Sequence, residues 1–543
     1  MKKFLDRSLS PVRRISNSKP VIFLICAVCY AVLFNLETSP FRYVVPSSPF
    51  TECPNNELSL DTCVYLYMGN LIPQGLMPYR DAFDHKGPLL YLIMALGLQI
   101  GNLAGVWLVQ SGFFIVSAFY AYKTCRLLVS PGPASLASAL AVLWYSTGHI
   151  GPETFSIPFL LIALFYFVRY ISDGYSISGW ETLLVGGCFG SVLLLKVNLT
   201  ALWLVFAAVV AFVSIRRNEY SLLFRRVLLF LAGTALVSVP ILLWLFVNGT
   251  FPDFIADYWH FNLHAYGDKP SFSNYLSFFL DRRLSVWIFD YWFNTPALLT
   301  YAFLFWHAKA AQRKLLFFCM ASYLFLSILL LGIKGTSMAY YCLPLVVAYL
   351  IFFAISFDFI LGVIGKHAVL GTVLFLFLSV PISPSICFPF AGDWIKHKLI
   401  SEYWPETEKS KYSIPLRNDK DELDLAMWIK KNTGENSTLS GSNARVFWYS
   451  KRLCASEFFY FPPTKDSDER AYERVFVKDE KFIYPEYFFC ARKESVLLTI
   501  MKILRPVPPK DIGISPEIEK TLTCKYDLIY QNERFDLYKI KHE

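Results

Sequence analysis

The chain runs to 543 residues, 55% of them hydrophobic and only 17% charged, with a formal net charge of +9 and a mean hydropathy of +0.42. Soluble domains carry about a quarter charged residues, so one large soluble core is excluded in favour of a chain that crosses a membrane many times. The positive charge does not mark a nucleic-acid binder, because the basic residues sit in short loops between apolar runs and form no basic stripe or recognition motif.

Lys2, Lys3, Arg7, Arg13, Arg14 and Lys19 precede an apolar run at 21–36. No small-residue cleavage site follows it, so the run reads as a retained first span with a cytoplasmic N-terminus. A polar segment occupies 37–87. Residues 89–100 are apolar but short, and are expected to lie at the interface. Further apolar runs at 105–128, 134–145, 155–168, 180–195, 199–213, 227–247, 291–306, 315–331, 341–357 and 368–380 bring the count to about eleven spans.

The basic residues test this registry. With the N-terminus inside, the cytoplasmic segments carry Lys123 and Arg126, then Arg216, Arg217, Arg225 and Arg226, then Lys309, Arg313 and Lys314, then Lys366, as the positive-inside rule requires. Segments 37–87 and 248–290, and everything after 380, then fall outside. From about residue 382 the composition becomes that of a soluble domain. Leu425, Trp428 and Ile429 take helical spacing behind Asp421, Glu422 and Asp424, and the stretch YDLIYQNERFDLYKI reads as two strands around a turn at 531–534. The expected fold is an all-α polytopic membrane bundle (1–381) with a small C-terminal α/β extracytoplasmic domain (382–543).

Cys53, Cys63, Cys387, Cys454, Cys490 and Cys524 fall outside on this topology. Cys53 and Cys63 are close enough to close a short loop, and six unpaired thiols are the alternative. No cysteine pattern has metal-ligand spacing.

The densest charge lies in PYRDAFDHKGPLLYL, residues 78–92, where the outer segment meets an apolar run. Asp61, Asp81 and Asp84 offer carboxylates; Arg80, His85 and Lys86 offer cations. Acids and cations together at headgroup depth suit chemistry on a phosphate-bearing lipid, with the cations holding the phosphate and a carboxylate acting as base. The alternative is a solvated loop with ordinary ion pairs. Glu153 at the outer end of a span, Lys196 and Asn198 between two spans, Asp257, His260 and His264 on an outer amphipathic segment, and Lys334, Tyr340 and Tyr341 are further candidates for donor or acceptor contacts. Each could equally be an interfacial or packing residue.

The stretch DTCVYLYMGNLIPQGLMPYRDAFDHKGPLLYL, residues 61–92, resembles the first outer loop of the C-type, polyprenyl-phosphate-sugar-dependent glycosyltransferases. Their relatives include the protein O-mannosyltransferases and the lipid A aminoarabinose transferase. In that pattern an Asp follows the first span, then come a Tyr, a Gly-containing turn and a Lys-Pro-Pro-Leu-like block. Here these are Asp61, Tyr65 or Tyr67, Gly75, and Lys86-Gly87-Pro88-Leu89. The layout of spans and an external C-terminal domain is also similar. Thr62 stands where relatives often carry a second acid, and Ala339-Tyr340-Tyr341 where they often carry His-Tyr.

The resemblance implies inverting transfer of one sugar from a polyprenyl phosphate to a glycan, lipid or protein acceptor at the outer face of a membrane, read on layout as a bacterial inner membrane. It implies Asp61 as base, with Asp84 and Asp81 as rivals. Lys86 would hold the donor phosphate, assisted by Arg80 and His85. No cofactor is expected, and with Thr62 in place of the second acid a divalent metal is not expected to be essential. The competing readings are a lipid or polysaccharide transporter, which should show ionisable residues inside spans and paired repeats, and a surface-polysaccharide polymerase or ligase.

Overall fold

The computed structural model describes residues 18–41, 58–146, 150–265, 294–308, 310–332, 339–364, 420–441, 443–460, 477–478, 481–482, 484–491, 516–532 and 534–541. The helices, in chain order, are α1 (Ser18–Tyr30), α2 (Leu60–Leu71), α3 (Pro88–Arg126), α4 (Pro131–Ser146), α5 (Pro152–Ser172), α6 (Gly179–Leu193), α7 (Ala201–Arg216), α8 (Tyr220–Val247), α9 (Phe251–Phe254), α10 (Asn294–His307), α11 (Ala311–Gly332), α12 (Val346–Ile364), α13 (Lys420–Asn432), α14 (Ala444–Ser450) and α15 (Pro516–Lys525). A π-helical stretch, Ile255–Ala265, continues α9, and a 3-10 turn, Ala339–Leu345, leads into α12. The strands are β1 (Leu439–Ser440), β2 (Val477–Lys478), β3 (Lys481–Phe482), β4 (Tyr487–Ala491), β5 (Tyr526–Gln531) and β6 (Phe535–Ile540).

Among the described residues, five helices are long and apolar enough to cross a membrane: Pro88–Arg126, Pro152–Ser172, Tyr220–Val247, Ala311–Leu330 and Leu343–Leu361. Val21–Asn35, Ala201–Arg216 and Ala297–His307 are shorter apolar helices. The apolar run at 368–380 lies outside the described residues. Within α3, Gly101 and Asn102 leave helical geometry, and Asn102 takes a left-handed φ of 55°. The break separates the two apolar runs at 89–100 and 105–128.

The chain folds as two compact units. The first holds Met1–Ser48, Trp107–Val239 and Ser271–Glu402, and the second Pro49–Val106, Pro240–Pro270 and Tyr403–Glu543.

In the first unit α4 lies against α1 and α12. Small residues on α4, Ala134, Ala137 and Ala141, are buried there, and Trp144 packs 5.6 Å from the Tyr349 ring. Lipid offers helices no hydrophobic drive to associate, so such close side-chain packing is what holds them. On α8, Leu228, Leu231, Leu236 and Val239 are exposed. A row of apolar side chains of this kind is stable against acyl chains but not against water. The other face of α8 meets α6, where a Cβ added at Gly186 or Gly233 would run into the carbonyl oxygens of Phe230 and Leu183. Thr234 Oγ1 seals that contact by donating to Gly186 O at 3.1 Å.

In the second unit α13 buries Leu425 and Ile429, with Asp421 and Glu422 in its first turn and Lys430 and Lys431 in its last. That charge order complements the helix dipole. α13 packs on α14, and α14 on α2. The four-stranded sheet has the order β1-β4-β6-β5. β1 runs parallel to β4, and β4–β6 and β5–β6 are antiparallel, with Phe488 opposite Tyr538 and a bulge between Leu528 and Tyr530. Between β5 and β6 Asn532 N donates to Phe535 O at 3.0 Å, and Glu533 lies outside the described residues.

Candidate functional site

Two groups of charged residues stand out, one in each unit. In the second unit α2 is capped by Ser59, whose hydroxyl accepts from Thr62 N at 3.2 Å and donates to Thr62 Oγ1 at 2.9 Å. Asp61 therefore occupies the first turn, half-buried, where the dipole of α2 favours a negative charge. Thr62 is fully buried, with both its backbone N–H and its hydroxyl bonded to the Ser59 cap.

After α2 the chain turns at Gly75, which needs the left-handed φ of 78° that glycine tolerates. The loop then folds on itself. Met77 N donates to Asp81 Oδ2 at 2.7 Å, Tyr79 N to Ala82 O at 2.9 Å, and Tyr79 Oη to Lys86 O at 2.8 Å. Burial pushes the Tyr79 phenol well up, so it stays a neutral donor. Arg80 pairs with Asp81 at 2.8 Å and with Asn248 O at 3.1 Å, on the exposed side.

Asp84, His85 and Lys86 point inward, at 1%, 5% and 7% exposure. Asp84 Oδ1 accepts from Tyr460 Oη at 2.6 Å and from His85 N at 2.7 Å, and Oδ2 accepts from Tyr91 Oη at 2.7 Å. The same carboxylate lies 3.4 Å from His85 Nδ1. His85 Nε2 is in hydrogen-bond contact with Lys86 Nζ. An ammonium can only donate, so Nε2 is the acceptor and the ring proton sits on Nδ1, which lies near Asp84 without hydrogen-bond geometry to it. That tautomer follows from the partners. Asn262 Nδ2 holds His85 O at 2.7 Å. Lys86 stands two residues before α3, so its charge and the helix N-terminus both favour an anion.

The ring of Phe261 lies 5.4 Å from that of His85 and 5.1 Å from that of Phe83. Next to them a cavity of about 320 Å³ is lined by Tyr79, Arg80, Phe83, Asp257, Glu457 and Phe458, among others. Burial, reinforced by the charges of Asp253, Glu457 and Asp84, pushes the Asp257 carboxyl up to about 8. The rings of His260 and His264 lie tilted to each other with centroids 4.7 Å apart on the same π-helical stretch.

In the first unit Glu153 opens α5 and is 2% exposed. Lys196 Nζ reaches its Oε1 at 2.5 Å and lies 3.9 Å from the centroid of the Tyr341 ring. Three separately chosen candidates thus meet. Tyr340 belongs to the adjacent 3-10 turn, and its side chain lies outside the described residues, as do Lys334 and Cys53. Among the described residues no group of three or more His, Cys, Asp or Glu side chains is placed to hold a metal ion.

Sequence reasoning missed Tyr91, Asn262 and Tyr460. Tyr91 had a signal: three residues after Pro88 it falls one helical turn back toward the charged loop. Tyr460, 376 residues from Asp84, had none.

No curated protein matches this chain. Among solved structures, that of ArnT from Cupriavidus metallidurans bound to undecaprenyl phosphate is similar over 95% of this chain and 97% of that one, with a TM-score of 0.55 at 12% identity. The apo oligosaccharyltransferase of Archaeoglobus fulgidus scores 0.49 at 13% identity, over 88% of this chain and 70% of that one. Its complex with zinc and sulfate scores 0.45 at 13% identity, over 90% and 70%. The likeness to ArnT bears out the C-type glycosyltransferase resemblance as a fold. The family profile described as "Putative competence-induced protein Ccs4 N-terminal domain" matches residues 24–359, and with most of its length so matched the chain belongs to that family.

Proposed function

We propose that the chain is an integral-membrane inverting glycosyltransferase that moves one sugar, a hexose or pentose, from a polyprenyl-phosphate donor to an extracytoplasmic glycan, lipid or protein acceptor. One observation carries this reading. Lys86 is a buried lysine whose Nζ contacts His85 Nε2 just before the N-terminus of the long apolar helix α3. A buried cation at a helix start is a site for a phosphate, and at the head of a membrane-crossing helix the phosphate at hand is a lipid's. The ArnT fold, seen in that protein with undecaprenyl phosphate bound, supports the same assignment.

In the reaction Asp61 takes the proton of the acceptor hydroxyl. The oxygen attacks the anomeric carbon from the face opposite the phosphate, the carbon–oxygen bond to phosphate breaks, and the polyprenyl phosphate leaves with the bonding pair. Lys86 offsets the charge that grows on the leaving oxygen. Asp84 is the weaker candidate base, because its oxygens already accept from Tyr460, Tyr91 and His85 N. It is better suited to orienting His85. Arg80, tied to Asp81 at the exposed edge, fits an outer contact with the donor. Glu153, Lys196 and the tyrosines at 340 and 341 are assigned to a second polar contact with donor or acceptor.

The wider architecture completes the proposal: about eleven crossings, a transmembrane domain (1–381), an extracytoplasmic α/β domain (382–543), a cytoplasmic N-terminus and a bacterial inner membrane. With Thr62 where relatives often carry a second acid, transfer is expected to run without an essential divalent metal.

The test is purified protein with radiolabelled polyprenyl-phosphate sugars. Release of polyprenyl phosphate with label passed to an acceptor is the expected result. Label carried intact across sealed vesicles, with no bond broken, would favour a transporter instead.

A further inference from the structure

We propose that Tyr460 is a positioning residue for Lys86, acting through Asp84 and His85, so that a segment near the far end of the chain completes the donor-phosphate site. This role rests on Lys86 being the phosphate ligand.

The chain of contacts is short and buried. Tyr460 Oη donates to Asp84 Oδ1 at 2.6 Å, Asp84 faces His85 Nδ1 at 3.4 Å, and His85 Nε2 accepts from Lys86 Nζ. Each link constrains the next. Asp84 Oδ1 also accepts from His85 N at 2.7 Å, which fixes where His85 sits, and the ring Nε2 in contact with Lys86 Nζ then sets the direction of that amine. An outer group that orients an acid–imidazole pair affects the final ligand without touching the substrate.

Tyr460 does not meet Asp84 by a stray contact. Its described neighbours from Arg445 to Phe459 contact the first outer loop at several points. Arg445 Nε donates to Leu58 O at 3.0 Å, and Leu58 N donates to Tyr449 Oη at 3.1 Å, just before Asp61. Cys454 N donates to Tyr67 Oη at 2.8 Å, and Phe83 N to Glu457 O at 2.9 Å. Phe459 stacks on Tyr67 with ring centroids 4.1 Å apart, and Phe458 stacks on Phe83 at 5.4 Å. Arg445 is itself fixed by Glu422 at 3.0 Å, and Glu422 also holds Arg534 at 3.3 Å. Nothing in the local sequence around Tyr460 announces this, since its partner lies in another part of the chain.

The experiment compares parent, Tyr460→Phe, His85→Ala and the double variant in steady-state transfer. Direct binding of undecaprenyl phosphate is measured alongside. Tyr460→Phe keeps the ring against Phe459 and removes one hydrogen bond to a charged group, so donor KM and the dissociation constant for undecaprenyl phosphate should both rise about tenfold. The turnover number at saturation should fall less than about threefold. His85→Ala should weaken binding at least as much, and adding Tyr460→Phe to it should cost nothing further, because the link is already cut. Additive losses, or a loss of turnover number with KM unchanged, would make Tyr460 a general structural residue and overturn the proposal. So would a Tyr460→Phe enzyme equal to the parent. If Tyr460→Phe is poorly folded by thermal unfolding, Asp84→Asn cuts the same chain at its middle and must show the same KM shift. A parent that neither binds undecaprenyl phosphate nor transfers sugar defeats the functional reading itself, and a parent that does both while Tyr460→Phe matches it defeats only the positioning role.

Discussion

Lys196 and Glu153 form a buried ion pair, 2.5 Å between Nζ and Oε1, with side-chain exposures of 16% and 2%. Each charge is tolerated there because of the other. Lys196→Met should strand the Glu153 carboxylate and lower stability by about 3–5 kcal/mol. The double variant with Glu153→Gln should regain much of that loss. Thermal unfolding in detergent checks this; strictly additive losses would show that the two side chains do not depend on each other.

Much of the loop site could be read in the sequence because its charges are contiguous. Asp84, His85 and Lys86 are neighbours, and their position ahead of an apolar run marked them as a group at the membrane edge. The break in α3 at Gly101 and Asn102 was legible for a similar reason, since it separates two apolar runs. Pairing across the chain was not legible. Glu153, Lys196 and Tyr341 were each singled out, but no periodicity links residues 43 positions apart to a third beyond them. The segment 443–460 carried no catalytic pattern, because its role lies in backbone and hydroxyl contacts that many sequences could make.

Asp257 provides a test by pH. Its folded value of about 8 lies above the ordinary carboxyl value of 3.8. Unfolded chains therefore lose this proton near pH ~4, while the folded protein keeps it until about 8. Between those limits the unfolded state binds fewer protons, so stability falls as pH rises, by at most about 1.4 kcal/mol per pH unit. Asp257→Asn removes that slope. The difference in unfolding midpoint between the Asn variant and the parent should grow in the variant's favour from pH 5 to pH 8 and then level off. A difference that stays constant over that range would mean that Asp257 titrates at its ordinary value.

The sidedness of the chain has a direct probe. Asn218 is an exposed residue in the turn between α7 and α8, flanked by Arg216, Arg217, Arg225 and Arg226, and Asn436 is exposed after α13. Cysteines introduced at each should label differently with a membrane-impermeant reagent. The probe at Asn436 should react in intact cells, or in spheroplasts where an outer membrane intervenes, and the one at Asn218 should not. The reverse pattern would put the whole loop site on the cytoplasmic face.

The most direct measurement is donor affinity and single-turnover rate for Asp61→Asn, Lys86→Ala and Asp84→Asn beside the parent. Asp61→Asn keeps size and polarity but removes the group that accepts the proton. Its rate should fall about 10²–10⁴-fold with donor affinity within about threefold of the parent, the signature of a lost transition-state interaction. Lys86→Ala should weaken donor binding at least about tenfold and also slow the reaction, because the phosphate gains charge as the bond breaks. Asp84→Asn should act mainly on affinity. Parental turnover in Asp61→Asn together with a silent Asp84→Asn would move the base to Asp84, and parental values in all three would remove the site from this loop altogether.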